Sequence, residues 1–510
     1  MSDQLKKLVE NRHPSYDEKL LHWEFLEDTY EGGREWFEEN IFKFVKEGST
    51  EYKARLERAF RFNHTKQVVD QVDKYLFKME IARKYEDAPT CIKRFWDSAT
   101  LNGLDIDSFA RRISTATSLY GRVWVVVDST VQLDGVLTVA DEKSGVGQIY
   151  AYIIRPQDML DMSYDDMGQL NWALVREIYR DDADPMNFSG EQKERFRLWT
   201  RQGWMLIECK NVQNKRKYFV ANTGEHGLGE VPIVQADHIF SEEPYEAPGL
   251  IDDIAYLDRA VANYLSNLDA IIQDQTFSQL AMPAQGVLPG EDGYDKLVEM
   301  GTKSLFLYNG EAGNPFYLSP DPKQADLIMS AIGKLVNEIY HSIGLTGERT
   351  QEDNGGGIDN ASGVAKSYDF ERVNSLLASK SKSLQLTERK IIRLVAMYAG
   401  TNTTNLNQLV SYPMNFDVRS VYDEFEIAAK LSLLSAPDEV RREQMRSLIT
   451  KLFPAAGKQT EVLLEKSLKE WPPQLEIPQA GLAAPKQGKP NLDNPAKAAE
   501  VQSLAKSMAN

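Results

Sequence analysis

The sequence predicts an α+β fold built around long helices, and three observations carry that prediction. Apolar residues recur at a helical period from residue 3 to about 85. They change to short β-branched and aromatic runs from 121 to about 240. From 249 onward they return to long, one-sided helical stripes. The 510 residues are enough for roughly three to four domains or subdomains, and for a sizeable core without disulfide or metal staples. With 42% hydrophobic and 26% charged residues, the bulk of the chain reads as ordinary globular protein.

The elements follow in order. Trp23, Leu26, Tyr30 and Trp36 recur at roughly helical spacing. Leu56, Ala59, Phe60, Asn63, Lys66, Val69, Val72 and Leu76 read as one longer amphipathic stripe. Pro89 interrupts, and helices follow at about 90–100 and 105–120, the second with Ile106, Phe109, Ile113 and Ala116 on one face. Gly121 then punctuates, and residues 122–128 are β-branched and aromatic, as a strand requires. Further strands are expected at 149–154, 172–180, 195–200, 204–209, 217–220 and 231–234, with Gly, Asp and Asn between them, giving an antiparallel β-rich region. Trp124, Trp172, Trp199 and Trp204 read as the core of this region rather than base-stacking platforms, because no basic residues interleave them.

Gly249 opens a different regime. Leu250, Ile254, Leu257, Val261, Tyr264 with Leu265, Leu268 and Ile271 mark a long helix with a single apolar seam. Leu327, Ile328, Ala331, Leu335, Val336, Ile339 and Ile343 mark a second. Between them, 277–320 is rich in Pro and Gly and is expected to form a small α/β lobe. Its expected parts are strands at 284–288 and 304–308 around a short helix at 294–300. A polar loop follows, Glu348 to Asn360, with glycine at 355, 356 and 357, and it holds nothing that could pack a core. A third long helix is expected at 362–398, then a strand at 411–418 and helices near 421–435, 437–452 and 457–470. After Trp471 the chain holds six prolines and few large apolar residues, and reads as a flexible tail.

Catalytic motifs find no foothold. His13, His22, His64, His226, His238 and His341 are scattered, without HExxH or HxH spacing. There is no GxSxG elbow and no GxxxxGK[ST] loop. Gly355-Gly356-Gly357 is followed by Ile358-Asp359, with no lysine to meet a phosphate. Gly145-Val146-Gly147 lacks the third glycine of a dinucleotide loop. Carboxylate pairs such as Asp165-Asp166 and Asp181-Asp182 are expected by chance in a chain with 76 Asp and Glu against 59 Lys and Arg. The sequence therefore predicts no catalytic residue, no metal site, no cofactor and no enzyme. A net charge of −17 excludes a protein that grips nucleic acid over its whole surface. Two distant cysteines, Cys91 and Cys209, form no disulfide framework. The N-terminus shows no apolar signal region and no stretch approaches a membrane span, so a soluble, cytoplasmically made chain is expected.

The order of parts carries more information than any motif. A helical N-terminus leads to a β-rich domain, a long helix, a small lobe, a second long helix, a glycine loop, a very long helix and a helical C-terminal region. This order resembles the portal proteins of tailed bacteriophages, the head-to-tail connectors. His13-Pro14-Ser15-Tyr16, Trp23 and Asp28-Thr29-Tyr30-Glu31-Gly32 look like the opening of one branch of that family. So does the run from Tyr52 to Ala59 leading into Phe62-Asn63-His64-Thr65. The run from His226 to Val234, a glycine stretch before Val231-Pro232-Ile233-Val234, is similar to the segment that closes the portal β-domain. The resemblance covers about 10–400.

The resemblance implies a ring, usually of twelve copies, around a channel for double-stranded DNA. It implies a wing (1–248), stem helices (249–276 and 321–346), a clip (277–320) and a tunnel loop (347–361). It also implies a long wing helix with its strand (362–418), a helical crown (419–471) and a flexible tail (472–510). Tunnel-loop residues toward DNA would be Arg349, Thr350, Gln351, Asn354, Gly355, Gly356 and Gly357. Lys323 and Lys334 would be channel-facing positive rings. Pro289, Gly290, Glu291, Asp292 and Gly293 of the clip would dock the large terminase subunit, then head-completion, adaptor and tail proteins. Major capsid and scaffold proteins would be further partners, with no membrane. The chain would reside at the portal vertex of the virion, and in host cytoplasm during assembly. Asp252, Asp253, Asp258, Asp269 and Asp274 against Arg259 would give an acidic lumen that repels and centres the duplex. Two other readings stand beside this one. One is a different viral head or connector component, which would lack the helix–lobe–helix–loop–helix order. The other is a nuclease or glycosidase assembled from distant carboxylates.

Overall fold

A computed structural model describes residues 2–130, 147–180, 182, 186, 190–212, 215–276, 279–283, 305–308, 314, 316–318, 322–344, 363–416, 437–452 and 458–470. The fold is mixed α+β. Five helices open the chain: α1 (Ser2–Glu10), α2 (Pro14–Glu31), α3 (Arg34–Asn40), α4 (Ser49–Arg58) and α5 (His64–Leu76). The stripe from Leu56 to Leu76 is thus two helices rather than one. Asn63 breaks it: its backbone is left-handed (φ 47), and its side chain accepts a 3.0 Å bond from the Lys66 N–H as the N-cap of α5. α6 (Thr90–Asp97) stops short of residue 100, and α7 (Ile106–Tyr120) begins where Asp105 accepts from the Ser108 N–H at 2.8 Å.

α7 ends at Gly121, whose φ of 78 is left-handed. A Cβ there would lie 1.8 Å from the Ala247 carbonyl oxygen, so the turn into β2 (Arg122–Ser129) admits only glycine. β2 is flanked by β3 (Ile149–Ile154) and β9 (Ile233–Asp237), both antiparallel to it. β2 is central, and Val123 to Val127 are all buried. A second sheet is a five-stranded antiparallel meander: β4 (Met159–Tyr164), β5 (Leu170–Arg180), β6 (Gln192–Thr200), β7 (Gly203–Val212) and β8 (Lys215–Glu225). The sequence pattern misses β4, and it places the other strands within a few residues. Trp124 and Trp199 are fully buried, and Trp172 and Trp204 pack partly buried on the same core. One detail of the sequence reading is corrected: Arg197 does interleave, with its guanidinium over the rings of Trp199 and Trp204.

α8 (Ile254–Thr276) and α9 (Pro322–Ser342) are the two long helices, and between them lie β10 (Gln279–Pro283), β11 (Leu305–Tyr308) and β12 (Phe316–Leu318). β10 ends just before the strand expected at 284–288. Residues 284–288, 294–300 and the loop 347–361 lie outside the described residues. α10 (Gly363–Tyr398) has 36 residues, about 54 Å of helix, and is the spine of the body. It packs against α5, α6, α7, β2 and β9. Val373, Leu377, Leu384, Ile391, Ile392 and Val395 are buried along it.

The strand expected at 411–418 shrinks to β13 (Val410–Ser411), paired with β1 (Ala82–Arg83). Pro413 has no N–H for a ladder, and side chains of α10 take the neighbouring donors. The Tyr412 N–H bonds Gln385 Oε1 at 2.8 Å and the Phe416 N–H bonds Asn374 Oδ1 at 2.7 Å. Arg83 forks onto Glu388 of α10 at 2.8 and 3.0 Å, and Tyr412 donates to the same carboxylate at 2.7 Å. α11 (Asp438–Leu452) and α12 (Lys458–Glu470) pair with each other, while the helix expected at 421–435 lies outside the described residues.

Candidate functional site

The candidate site is the pair α8 and α9 with the lobe between them. Both helices meet the body at one end. In α8, Asp258 accepts from the Thr65 N–H at 3.0 Å and the Thr65 hydroxyl at 2.9 Å, with Arg61 3.6 Å away. In α9, Tyr340 lies 3.1 Å from His64 Nδ1 and donates to Gln67 Oε1 at 2.9 Å. The start of α8 and the end of α9 therefore both seat on α5, so the two helices run antiparallel. Burial in α8 ends at Ser266, and in α9 it begins only at Ile339. The two helices also pack on each other, and Asp269 of α8 still reaches Arg58 of α4 at 3.0 Å.

The lobe at the far end is a three-stranded sheet. β10 is central, parallel to β11 with Leu280 opposite Leu305, and antiparallel to β12 with Ala281 opposite Phe316.

The sequence-predicted site residues fall unevenly. Lys323 and Lys334 are exposed on α9. They stand about three helical turns apart, so they share a face. Arg349, Thr350, Gln351, Asn354, Gly355, Gly356 and Gly357 lie outside the described residues, as do Pro289, Gly290, Glu291, Asp292 and Gly293.

The acidic face proposed for α8 is corrected. Asp258 is fully buried, so it faces α5 and not a lumen. Asp269 is bonded to Arg58 at 3.0 Å. Asp252 accepts from the Gly249 N–H at 2.8 Å and lies 3.4 Å from His22. These carboxylates join α8 to the N-terminal helices. Arg259 instead lies over the rings of Phe25, Phe42 and Tyr256, at 4.7, 5.4 and 5.0 Å from their centroids.

The structure also holds buried charge that the sequence did not announce. Lys380, in mid-α10, is completely buried. Its ammonium donates to the Ser114 carbonyl at 2.8 Å and the Ser118 hydroxyl at 2.5 Å, and lies 3.0 Å from His238 Nδ1. Burial lowers its pKa to about 8. Burial, then the adjacent ammonium, keeps His238 well below the ordinary histidine range. The other histidines are spent singly: His13 stacks on Tyr245, and His226 bonds the Thr200 carbonyl at 3.0 Å. His22 and His64 stand at the α8 and α9 contacts above, and His341 faces Arg372 at 3.4 Å. Among the described residues, no cluster of three His, Cys, Asp or Glu side chains is placed to hold a metal ion. Among them too, no helix is long and apolar enough to cross a membrane.

No family model matches the chain, and no curated protein does. Among solved structures, the chain is distantly similar to a chain from the neck of an empty GTA particle computed with C6 symmetry. The identity is 12% and the TM-score 0.35, over 73% of this chain and 90% of that one. It is similarly related to a chain from the virion of a native gene transfer agent particle. There the identity is 13% and the TM-score 0.37, over 79% and 89% of the two chains.

Proposed function

We propose that the chain is a subunit of a ring-shaped portal that conducts double-stranded DNA at one vertex of a viral particle. The observation that carries this reading is the antiparallel pair α8 and α9 with a strand lobe between them, whose fully buried residues run only to Ser266 in α8 and resume at Ile339 in α9. Leu327 and Met329 of α9 are exposed, and no described element covers them, as expected of a stem whose second packing surface is a neighbouring copy. The lobe would dock the terminase and later the head-completion and tail proteins. The loop 347–361 would face DNA, with Lys323 and Lys334 as positive rings. The chain itself would be no enzyme, and the terminase would supply the energy of packaging.

The mass and symmetry of the purified protein test this. Light scattering and electron-microscope class averages are expected to give a ring of about a dozen copies with a central hole. A closed dimer, or a monomer at every concentration, would overturn the reading. Deleting residues 354–358 should then leave the rings intact while impairing packaging or retention of DNA. Loss of rings in that variant would overturn the tunnel-loop assignment. Magnesium-dependent cleavage of DNA, abolished by one Asp or Glu substitution, would favour the nuclease reading instead.

A further inference from the structure

Two exposed apolar loops of this chain carry opposite charge. The first, 42–46, joins α3 to α4. It exposes Phe42 (59%), Phe44 (63%) and Val45 (95%) beside the exposed Lys43 and Lys46. The second, 239–243, leads from β9 toward α8. It exposes Ile239 (39%) and Phe240 (70%) beside the exposed Glu242 and Glu243. Apolar side chains grouped in this way mark surfaces that a partner covers.

Neither loop is loose, because a buried arginine holds each one. Arg55 is 5% exposed. It forks onto Glu47 at 2.8 Å through both Nε and Nη2, donates to the Phe42 carbonyl at 2.8 Å, and reaches Ser266 of α8 at 2.9 Å. The Phe42 N–H is taken by Asn263 at 2.9 Å. Arg122 is 2% exposed. It forks onto Asp237 at 2.6 and 2.9 Å, and donates to the carbonyls of Ser241 and Glu243. Among the described residues, no hydrogen bond or ion pair joins one loop to the other within the chain.

We propose that these loops are the two halves of one head-to-tail contact, with 42–46 of one copy seated against 239–243 of the next. The inference rests on the oligomeric reading above and names its contact. Charge complementarity selects the occupant: two lysines beside Phe44 face two glutamates beside Phe240. Either loop set against its own copy would oppose like charges, which disfavours a two-fold dimer through it. A contact between two different patches of one chain is heterologous, and it closes into a ring when the rotation allows. The aromatic side chains would form the dry centre of the contact and the charges its rim. Because both loops are already fixed in shape, little ordering is lost on association.

Charge reversal tests the pairing in the full chain. Lys43→Glu with Lys46→Glu, or Glu242→Lys with Glu243→Lys, should raise the concentration needed for assembly roughly tenfold or more. All four reversals together should restore it. Thermal midpoints of the dissociated chains serve as the folding control. A cysteine test stands beside it in a chain whose Cys91 and Cys209 are replaced by serine. Phe44→Cys with Phe240→Cys should give, on oxidation, a ladder of covalent oligomers, whereas either single cysteine should give dimers at most. Reversals that leave assembly unchanged, or four reversals that fail to restore it, would overturn this contact alone. A wild-type chain that never assembles would overturn the ring reading and this inference together.

Discussion

Replacing Arg122 with methionine is expected to lower the unfolding free energy by about 3–5 kcal/mol. Arg122 opens β2 directly opposite Asp237 of β9, and both side chains lie in the interior. Its guanidinium neutralises that carboxylate in a two-bond fork and takes the Ser241 and Glu243 carbonyls as well. Methionine would leave an uncompensated buried charge and two orphaned carbonyls. Lysine would keep the charge but lose the fork. The double variant Arg122→Met, Asp237→Leu should recover most of the loss, because the isolated carboxylate, not the absent pair, carries the penalty. Urea midpoints at unchanged slope would measure this. A single variant within 1 kcal/mol of wild type would sink the argument.

The second large effect concerns pH. The buried Lys380 has a folded pKa of about 8 against an ordinary 10.5. Below about 8 the folded chain must hold an ammonium away from water. Between about 8 and 10.5 the unfolded chain still binds a proton that the folded chain has released, so stability rises with pH through that window. The full rise from this group is about 3 kcal/mol. His238 acts at the acid end: its folded pKa is depressed, so stability falls as the unfolded ring takes up a proton below 6.5. The charged group felt by Lys380 is Asp73 on α5, whose attraction opposes the depression. The hydroxyls and the carbonyl around it come from α7. Lys380→Met should abolish the alkaline rise, seen as a changing difference between wild type and variant in denaturation curves from pH 7 to 10. Parallel pH profiles would refute the assignment.

The helical spans and most strands are legible in the sequence because their signal is local. A period near 3.6 or 2 survives whatever the element packs against. The errors fall where a side-chain hydrogen bond, local or from elsewhere, decides. Asn63 ends one stripe by capping the next helix, and Gln385 and Asn374 take the donors that a longer strand at 411–418 would have used. The paired helices of the candidate site are legible by the same rule. Which of their charges face water is not.

The sequence by itself determined the order of elements, the apolar seams of α8, α9 and α10, and the want of any catalytic motif. Tertiary structure alone decided the fate of the polar residues on those seams. Asp258 reads as one more surface charge until Thr65 of α5 and Arg61 just before it meet it, and Lys380 as an ordinary helix lysine until α7 and His238 surround it. Arg122 and Asp237 stand 115 residues apart, and only the register of β2 on β9 sets them opposite each other. A buried charge is tolerable only where a distant element brings its partner, and no local period records that partner.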